Sequence, residues 1–299
     1  MKRIFLPFLV VMLAACQEAP PPVEEQVAEP PAAEMAAPVV SRLDEVLAAQ
    51  PKDVQARYQY RHPKETLEFF GLQPGMTVVE ALPGGGWYTR IVAAYLGPEG
   101  KVIGADYPID LYKNFGFYNE EFGEAKKTWV TDWTAGAADW GVENGAAVDA
   151  FVFGAVPAEM ASTADAILFI RAMHNLARFE SQGGFLTQAI DDTWQVLKPG
   201  GIVGIVQHHA RDDMPDDWAS GAAGYLKQGF LIEQLQKRGF EYVGNSDINA
   251  NDQDQPTTDD AVWRLPPSLG TSREDPELRA QLEAIGESNR MTLKFRKPE

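Results

Sequence analysis

Residues 78–89 read VVEALPGGGWYT, a β-branched run that closes on an acid, turns through Leu-Pro and opens into three glycines before an aromatic pair. The run from Thr77 to Leu82 is short, apolar apart from Glu80, and bounded by Gly75 and Pro83. A strand buried on both faces in a parallel sheet has this pattern. After the glycines, WYTRIVAAYLG sets Trp87, Ile91 and Tyr95 four apart and stops at Gly97, which predicts a helix. KVIGAD, residues 101–106, is a second short strand behind a Gly-Pro-Glu-Gly turn. Strand, helix and strand at this spacing make a βαβ unit.

The same alternation continues. VDAFVFGAV and DAILFIRAM are further apolar runs of strand length, each entered through an Asp. A helix then carries Leu186, Ile190, Trp194 and Leu197 on one face, is stopped by Lys198-Pro199-Gly200-Gly201, and leads into the strand IVGIVQH. Phe230 to Lys237 reads as a helix ending at Gly239, and FEYVGNSDI and the terminal MTLKFRK as the last strands. Such alternation predicts an α/β sheet wound on both faces. Residues 249–289, with WRLPPSLGTSREDP inside them, are too long for an ordinary connection and read as an insertion or a lid.

In a doubly wound sheet, ligands bind beyond the carboxyl ends of the strands, at the loop after the first strand. Gly84, Gly85 and Gly86 fall there. Glycine permits positive φ and close approach of the backbone to a ligand, and the following helix offers unpaired N–H groups and a partial positive charge. A nucleotide-like ligand follows. The dinucleotide fingerprint G-x-G-x-x-G has Thr89 in place of its last glycine, which ranks a nicotinamide oxidoreductase low. An acid that grips a ribose is expected about 20 residues on, and Asp106 is in that place.

The stretches RHPKETLEFFGLQPGMTVVEALPGGGWYTRIVAAYLG, GADY, DAILFIRAMHNL, VLKPGGIVGIVQHH and MTLKFRKP, in this order, resemble the class I methyltransferases that use S-adenosylmethionine, and within them a bacterial group of exported methyltransferases. The resemblance covers nearly all of residues 41–299. It implies a doubly wound Rossmann-like methyltransferase sheet, mostly parallel with an antiparallel C-terminal strand, and S-adenosylmethionine as cofactor. By the same resemblance Glu80 is the acid that helps hold the methionine amino group, Gly84 and Gly86, with Gly85 between them, form the loop that passes the cofactor, and Asp106 takes the two ribose hydroxyls. Leu82 stands where the superfamily has its first loop glycine, and the Pro-Gly-Gly-Gly form after it is usual for this bacterial group.

His174 and Asn175 follow the fourth strand, where class I enzymes place residues near the transferred methyl group. His174 is a candidate base and Asn175 a candidate orienting group. The plainer reading has His174 capping the strand end or bonding a neighbouring carbonyl. His208-His209 with Asp212, Asp213, Asp216 and Asp217 behind them invite a metal, but adjacent strand residues point to opposite faces, so a solvated acidic loop is preferred and no metal is expected. Arg61-His62-Pro63 resembles the segment expected over the mouth of the site; alternatively Arg61 pairs with Glu65 at helical i,i+4 spacing. Trp87 and Tyr88 are candidates for an adenosyl pocket, though aromatic residues there are more often core.

The N-terminal MKRIFLPFLVVMLAAC carries two basic residues, a short apolar stretch and small residues before Cys16, the pattern of a secretory signal over residues 1–15. Leu13-Ala14-Ala15-Cys16 resembles a bacterial lipobox, in which the cysteine is lipidated; Cys16 is the only cysteine. Gln17 follows where an inner-membrane retention signal more often has Asp, so the expected location is the periplasmic side of the outer membrane. Residues 16–40 then form a Pro/Ala/Glu tether that cannot bury enough surface to fold, and residues 41–299 one methyltransferase-like domain. With 26 Lys and Arg against 43 Asp and Glu, nucleic acid is an unsuitable partner. Two readings remain: an enzyme methylating a small-molecule substrate or an envelope component, and a binding protein that keeps the fold but holds another ligand. Glu80, Asp106 and the glycines favour the first; the export signal and Leu82 favour the second.

Overall fold

Val78 and Val79 are both wholly buried, and successive strand residues face opposite sides of a sheet, so the first strand needs cover on both faces. The computed structural model describes residues 41–140 and 142–299; the signal, Cys16 and the tether lie outside the described residues. The strands are β1 Thr77–Ala81, β2 Lys101–Asp106, β3 Ala147–Val152, β4 Ala164–Ile170, β5 Leu197–His208, β6 Glu241–Ser246 and β7 Arg290–Arg296. They form one seven-stranded sheet in the order β3-β2-β1-β4-β5-β7-β6. β1 to β5 pair in parallel, and β7 runs antiparallel between β5 and β6. The mostly parallel, doubly wound sheet with its reversed C-terminal strand is the one expected from the sequence.

One face, presenting Val79, Ile103, Ile167 and Val203, is covered by helices Phe185–Val196 and Gln228–Arg238 through Leu186, Ile190, Leu231 and Leu235. The other, presenting Val78, Val102, Ala166 and Leu168, is covered by helices Arg42–Ala49, Pro63–Phe70 and Trp87–Leu96. The chain runs outward from β1 to β2 and β3, then crosses back to lay β4 on the other flank of β1. Loops therefore diverge at the carboxyl ends of β1 and β4 and leave a crevice.

Three parts differ from the sequence reading or go beyond it. β5 begins at Leu197, so Lys198-Pro199-Gly200-Gly201 lies inside the strand instead of before it. Gly200 takes φ 75° and the register against β4 shifts between Ala164 and Ala166, which lets a turn-like stretch remain in the ladder as an irregularity. Residues 107–140, unassigned from sequence, carry helices Ile109–Tyr112, Glu120–Lys127 and Trp129–Gly136. Residues 249–289 carry a short turn, Val262–Arg264, and helix Pro276–Ile285; Asn249 pins their start by donating to Thr66 and Thr292 Oγ1, each at 3.0 Å. Among the described residues no helix is long and apolar enough to cross a membrane.

Gly204 in β5 shows how tightly the second face is packed. A Cβ built there would sit 2.8 Å from the buried Phe70 ring. Gly204→Ala is expected to cost about 1–3 kcal/mol by overpacking, read as a lower urea midpoint with unchanged slope; an unchanged midpoint would show that Phe70 has room to move.

Candidate functional site

The loop after β1 keeps its shape through left-handed residues. Leu82 takes φ 51°, Gly84 φ 55° and Gly86 φ 75°. The Leu82 N–H donates to the Ala105 carbonyl at 2.7 Å, tying the loop to β2, and Gly86 caps helix Trp87–Leu96. A left-handed leucine costs roughly 1–2 kcal/mol, so the position keeps a glycine's conformation without a glycine. A Cβ on Gly85 would meet nothing within 4 Å: the loop faces open space.

Two buried carboxylates flank this loop. Glu80 accepts from Thr89 Oγ1 at 2.6 Å. Burial pushes its carboxyl up to about 7, against the pull of the Thr89 bond and the charge of Arg171. Asp106 ends β2 and is already engaged: Oδ1 accepts from the Tyr107 N–H at 2.9 Å and Tyr112 Oη at 2.7 Å, and Oδ2 from Lys126 Nζ at 2.6 Å. The Lys126 ammonium also lies 4.4 Å from the Tyr112 ring centre. Sequence reasoning found Asp106 but missed Tyr112 and Lys126. Asn119 as N-cap, acids in the first turn and Lys126-Lys127 in the last were signals for a helix over 120–127, but no local pattern reveals its partner.

Three cavities line the carboxyl edge in sequence. The first, about 420 Å³, lies over Gly84 and Gly85; the second, about 350 Å³, shares Leu82 and Trp263 with it; the third, about 1140 Å³, shares Tyr107 with the second. Glu80, Gly86 and Asp106 line none of the three. His174 and Asn175 lie on helix Met173–Arg178, beyond β4, and reach different cavities, the first and the second respectively. Asn175 Oδ1 is buried with no hydrogen-bond partner, an unused acceptor.

His174 and His208 both line the first cavity, their rings 5.7 Å apart. Burial lowers His174 to about 4 and holds His208 well below the usual histidine range, so both are neutral at pH 7. Gln207 Nε2 donates to the Gly224 carbonyl at 2.9 Å and faces His174 Nδ1 at 3.5 Å. With that amide nitrogen as donor, Nδ1 is the acceptor and the His174 proton sits on Nε2. In this state His174 is suited to donate a hydrogen bond; as a base it is weak. His208 Nδ1 bonds Ser288 Oγ at 2.6 Å, whereas the next residue, His209, is only half-buried. Asp212, Asp213, Asp216 and Asp217 are exposed, and no group of three or more His, Cys, Asp or Glu among the described residues is gathered to hold a metal ion.

The remaining wall is cationic. Arg61 is buried and pairs with Glu287 at 3.1 Å, not with Glu65. The i,i+4 rule fails because His62, at φ 39°, breaks the helix between Arg61 and Glu65. The Arg61 guanidinium lies 4.5 Å from the Trp87 ring centre, and burial followed by the charge of Arg171 lowers it to about 10. Glu287 also pairs with Arg57 and, at 3.3 Å, with Arg290. Arg171, directly after β4, takes φ 60° and keeps a buried Nε without a partner. Trp87 is half-buried at this cavity, whereas Tyr88 is core and donates to the Arg61 carbonyl at 2.9 Å. Sequence reasoning missed Arg57, Arg171 and Glu287.

The Glu80 carboxyl gives a test. Its folded value of about 7 exceeds the ordinary 4.5, so between these the folded chain holds a proton that the unfolded chain has lost. Stability therefore falls as pH rises through that window, by roughly 3 kcal/mol at most. Glu80→Gln is expected to be more stable than wild type at pH 8 and to lose the advantage by pH 4.5 in chemical denaturation; a difference independent of pH would contradict the burial effect.

No protein-family model and no curated protein matches the chain. Among solved structures, it is similar to a SAM-dependent methyltransferase from Aquifex aeolicus at 16% identity and TM-score 0.49, covering 83% of this chain and 98% of the other. It is similar to the cyclase SpnF at 19% identity and TM-score 0.49, covering 80% of each. A third, CrArsM, an arsenic(III) S-adenosylmethionine methyltransferase from Chlamydomonas reinhardtii, shares 17% identity at TM-score 0.43, covering 87% of this chain and 74% of the other.

Proposed function

We propose that this domain is an S-adenosylmethionine-dependent methyltransferase, tethered through a lipid on Cys16 to the periplasmic side of the outer membrane and acting on a small molecule or envelope component. The observation that carries the enzymatic reading is the pair of buried carboxylates, Glu80 and Asp106, at the carboxyl ends of adjacent parallel strands on either side of an open glycine loop. An adenosyl amino acid asks for this set: an acid for its amino group, backbone that permits close approach, and an acceptor pair for a ribose diol. The unused Oδ1 of Asn175 adds a further acceptor at the second cavity. When bound, the cofactor supplies a methyl group on a sulfonium, open to in-line displacement by a nucleophile.

The chain's own residues then position and desolvate. Glu80 and the Gly84–Gly86 backbone hold the methionine end, Asp106 the ribose, and the His174 Nε2–H orients the acceptor. Alignment of the nucleophile is the main contribution, because displacement at a sulfonium needs little acid–base help. The lipoprotein reading is supported by the basic residues, apolar stretch and small residues that precede Cys16. Radiolabelled palmitate incorporated by wild type and not by Cys16→Ser would agree with it.

A second reading, a binding protein with the same fold, is favoured by the Asp106 carboxylate, whose two oxygens already accept three donors. Calorimetric titration of the purified chain with S-adenosylhomocysteine separates the two. The enzyme reading expects micromolar binding that Asp106→Ala weakens by about 1–3 kcal/mol and that Lys126→Ala strengthens by removing a competitor for the carboxylate. Absence of heat from folded wild type and Lys126→Ala alike would put the binding protein first.

A further inference from the structure

We propose that the first cavity binds a small organic acid, with its carboxylate or phosphate group held by Arg171 and Arg57 and its apolar body against Trp87, Trp263 and Pro267. In the enzyme this acid is the methyl acceptor, a role that rests on the methyltransferase reading; the binding of the acid itself does not.

The charge of the cavity points to an anion. Arg57, Arg61 and Arg171 line it with Glu287, and Arg290 lies behind, paired to the same carboxylate. Three guanidiniums thus share one carboxylate and Arg171 adds a fourth to the same region, in a chain whose formal net charge is −17. Buried cations without counter-charge are costly, and the guanidinium fork matches a carboxylate or phosphate in two parallel hydrogen bonds. S-Adenosylmethionine brings one carboxylate, but its ammonium and sulfonium bring two positive charges with it, so its net charge leaves the excess in place. The deficit falls to a second ligand.

Unused hydrogen bonds agree with this. Arg171 Nε and Trp87 Nε1 are buried at the cavity wall and neither has an acceptor. Both are donors, so both are answered by oxygen atoms. Arg171 and Leu82, which directly follow the neighbouring strands β4 and β1, hold left-handed backbone at φ 60° and 51°. Strain of this kind in a non-glycine residue marks positions that the surroundings over-determine, often at ligand sites. At about 420 Å³ the space suits a small molecule. Val262, Leu265, Pro266 and Pro267, together with Trp87 and Trp263, give the wall an apolar and aromatic part beside the polar His174, His208, Ser268 and Ser288, which favours an acid with an apolar body over inorganic phosphate.

The test is calorimetry and thermal shift on the full chain with benzoate, phenyl phosphate, inorganic phosphate and benzyl alcohol, each with and without S-adenosylhomocysteine. Benzoate or phenyl phosphate is expected to bind and to raise Tm, and the preference between them identifies the anionic group. Benzyl alcohol, which lacks the charge, and inorganic phosphate, which lacks the apolar body, are each expected to bind at least tenfold more weakly. Arg171→Met is expected to weaken benzoate or phenyl phosphate by about tenfold or more. Arg57→Gln, at a partly exposed position, serves the same purpose if Arg171→Met does not fold. Benzyl alcohol binding as tightly as benzoate, no binding by either acid, or full affinity in the folded arginine variant overturns the proposal. Acid binding without S-adenosylhomocysteine binding upholds the site and removes the methyltransferase reading; the converse removes the acid site alone.

Discussion

The surroundings of the glycine loop depend on one buried carboxylate. Glu287 accepts from Arg57 and Arg61 and pairs with Arg290, and without it these guanidiniums would have no counter-charge in the interior. Breaking a buried pair costs about 3–5 kcal/mol, a large part of a domain's whole stability. The Arg61–Glu287 bond joins residues 226 apart in sequence. It draws the segment before the sheet and the segment leading into β7 together over the carboxyl ends of β1 and β4. Arg61 then stacks on Trp87, the first residue of the helix after the glycines, so the same carboxylate indirectly fixes where that helix begins. The cavity is a consequence of this closure.

What could be read from the sequence was local. β1 and β2 are short apolar runs between turn residues because they are buried on both faces, and burial leaves a compositional trace. Glu80 and Asp106 were legible because each interrupts or ends such a run. Lys126 and Glu287 were not, since a lysine on an amphipathic helix and a glutamate in a long connection look like solvated residues until the fold brings a partner to them. Arg61 is the instructive case. Its spacing to Glu65 suggested a helical pair, and a single left-handed residue, His62, removed it. Pairing rules hold only within a continuous helix, and Pro63, which starts a new helix, was the available sign of a break.

Leu82 shows why a motif's letters and its geometry separate. The resemblance puts a glycine at this position because the backbone must turn through positive φ. Leucine makes the same turn at a steric cost of roughly 1–2 kcal/mol, offset by burial of its side chain against the large core. The loop therefore keeps the path that brings Gly84 and Gly85 to the cavity. In exchange the leucine adds a side chain at the walls of both the first cavity and the second, where a glycine would add none. The substitution alters the shape of the space more than the course of the chain.

The covered Asp106 sets the energetic problem for an adenosyl ligand. Replacing the Lys126 ammonium by ribose hydroxyls exchanges a charge-assisted hydrogen bond for neutral ones, which is unfavourable by itself. The exchange becomes feasible only if the covering segment moves at low cost. Its packing is lighter than the core's: helix Trp129–Gly136 has no fully buried residue and helix Glu120–Lys127 only Gly123, and their main apolar anchors are the partly buried Phe122 and Trp133. Regions with few buried contacts open at low free energy. Asp106 itself, at the end of a buried strand paired on both sides, stays in place. The firm half of the site is thus the sheet edge and its glycine loop, while the half that must yield is the thin aromatic and lysine cover, and the affinity for any ligand at Asp106 is set by the difference between them.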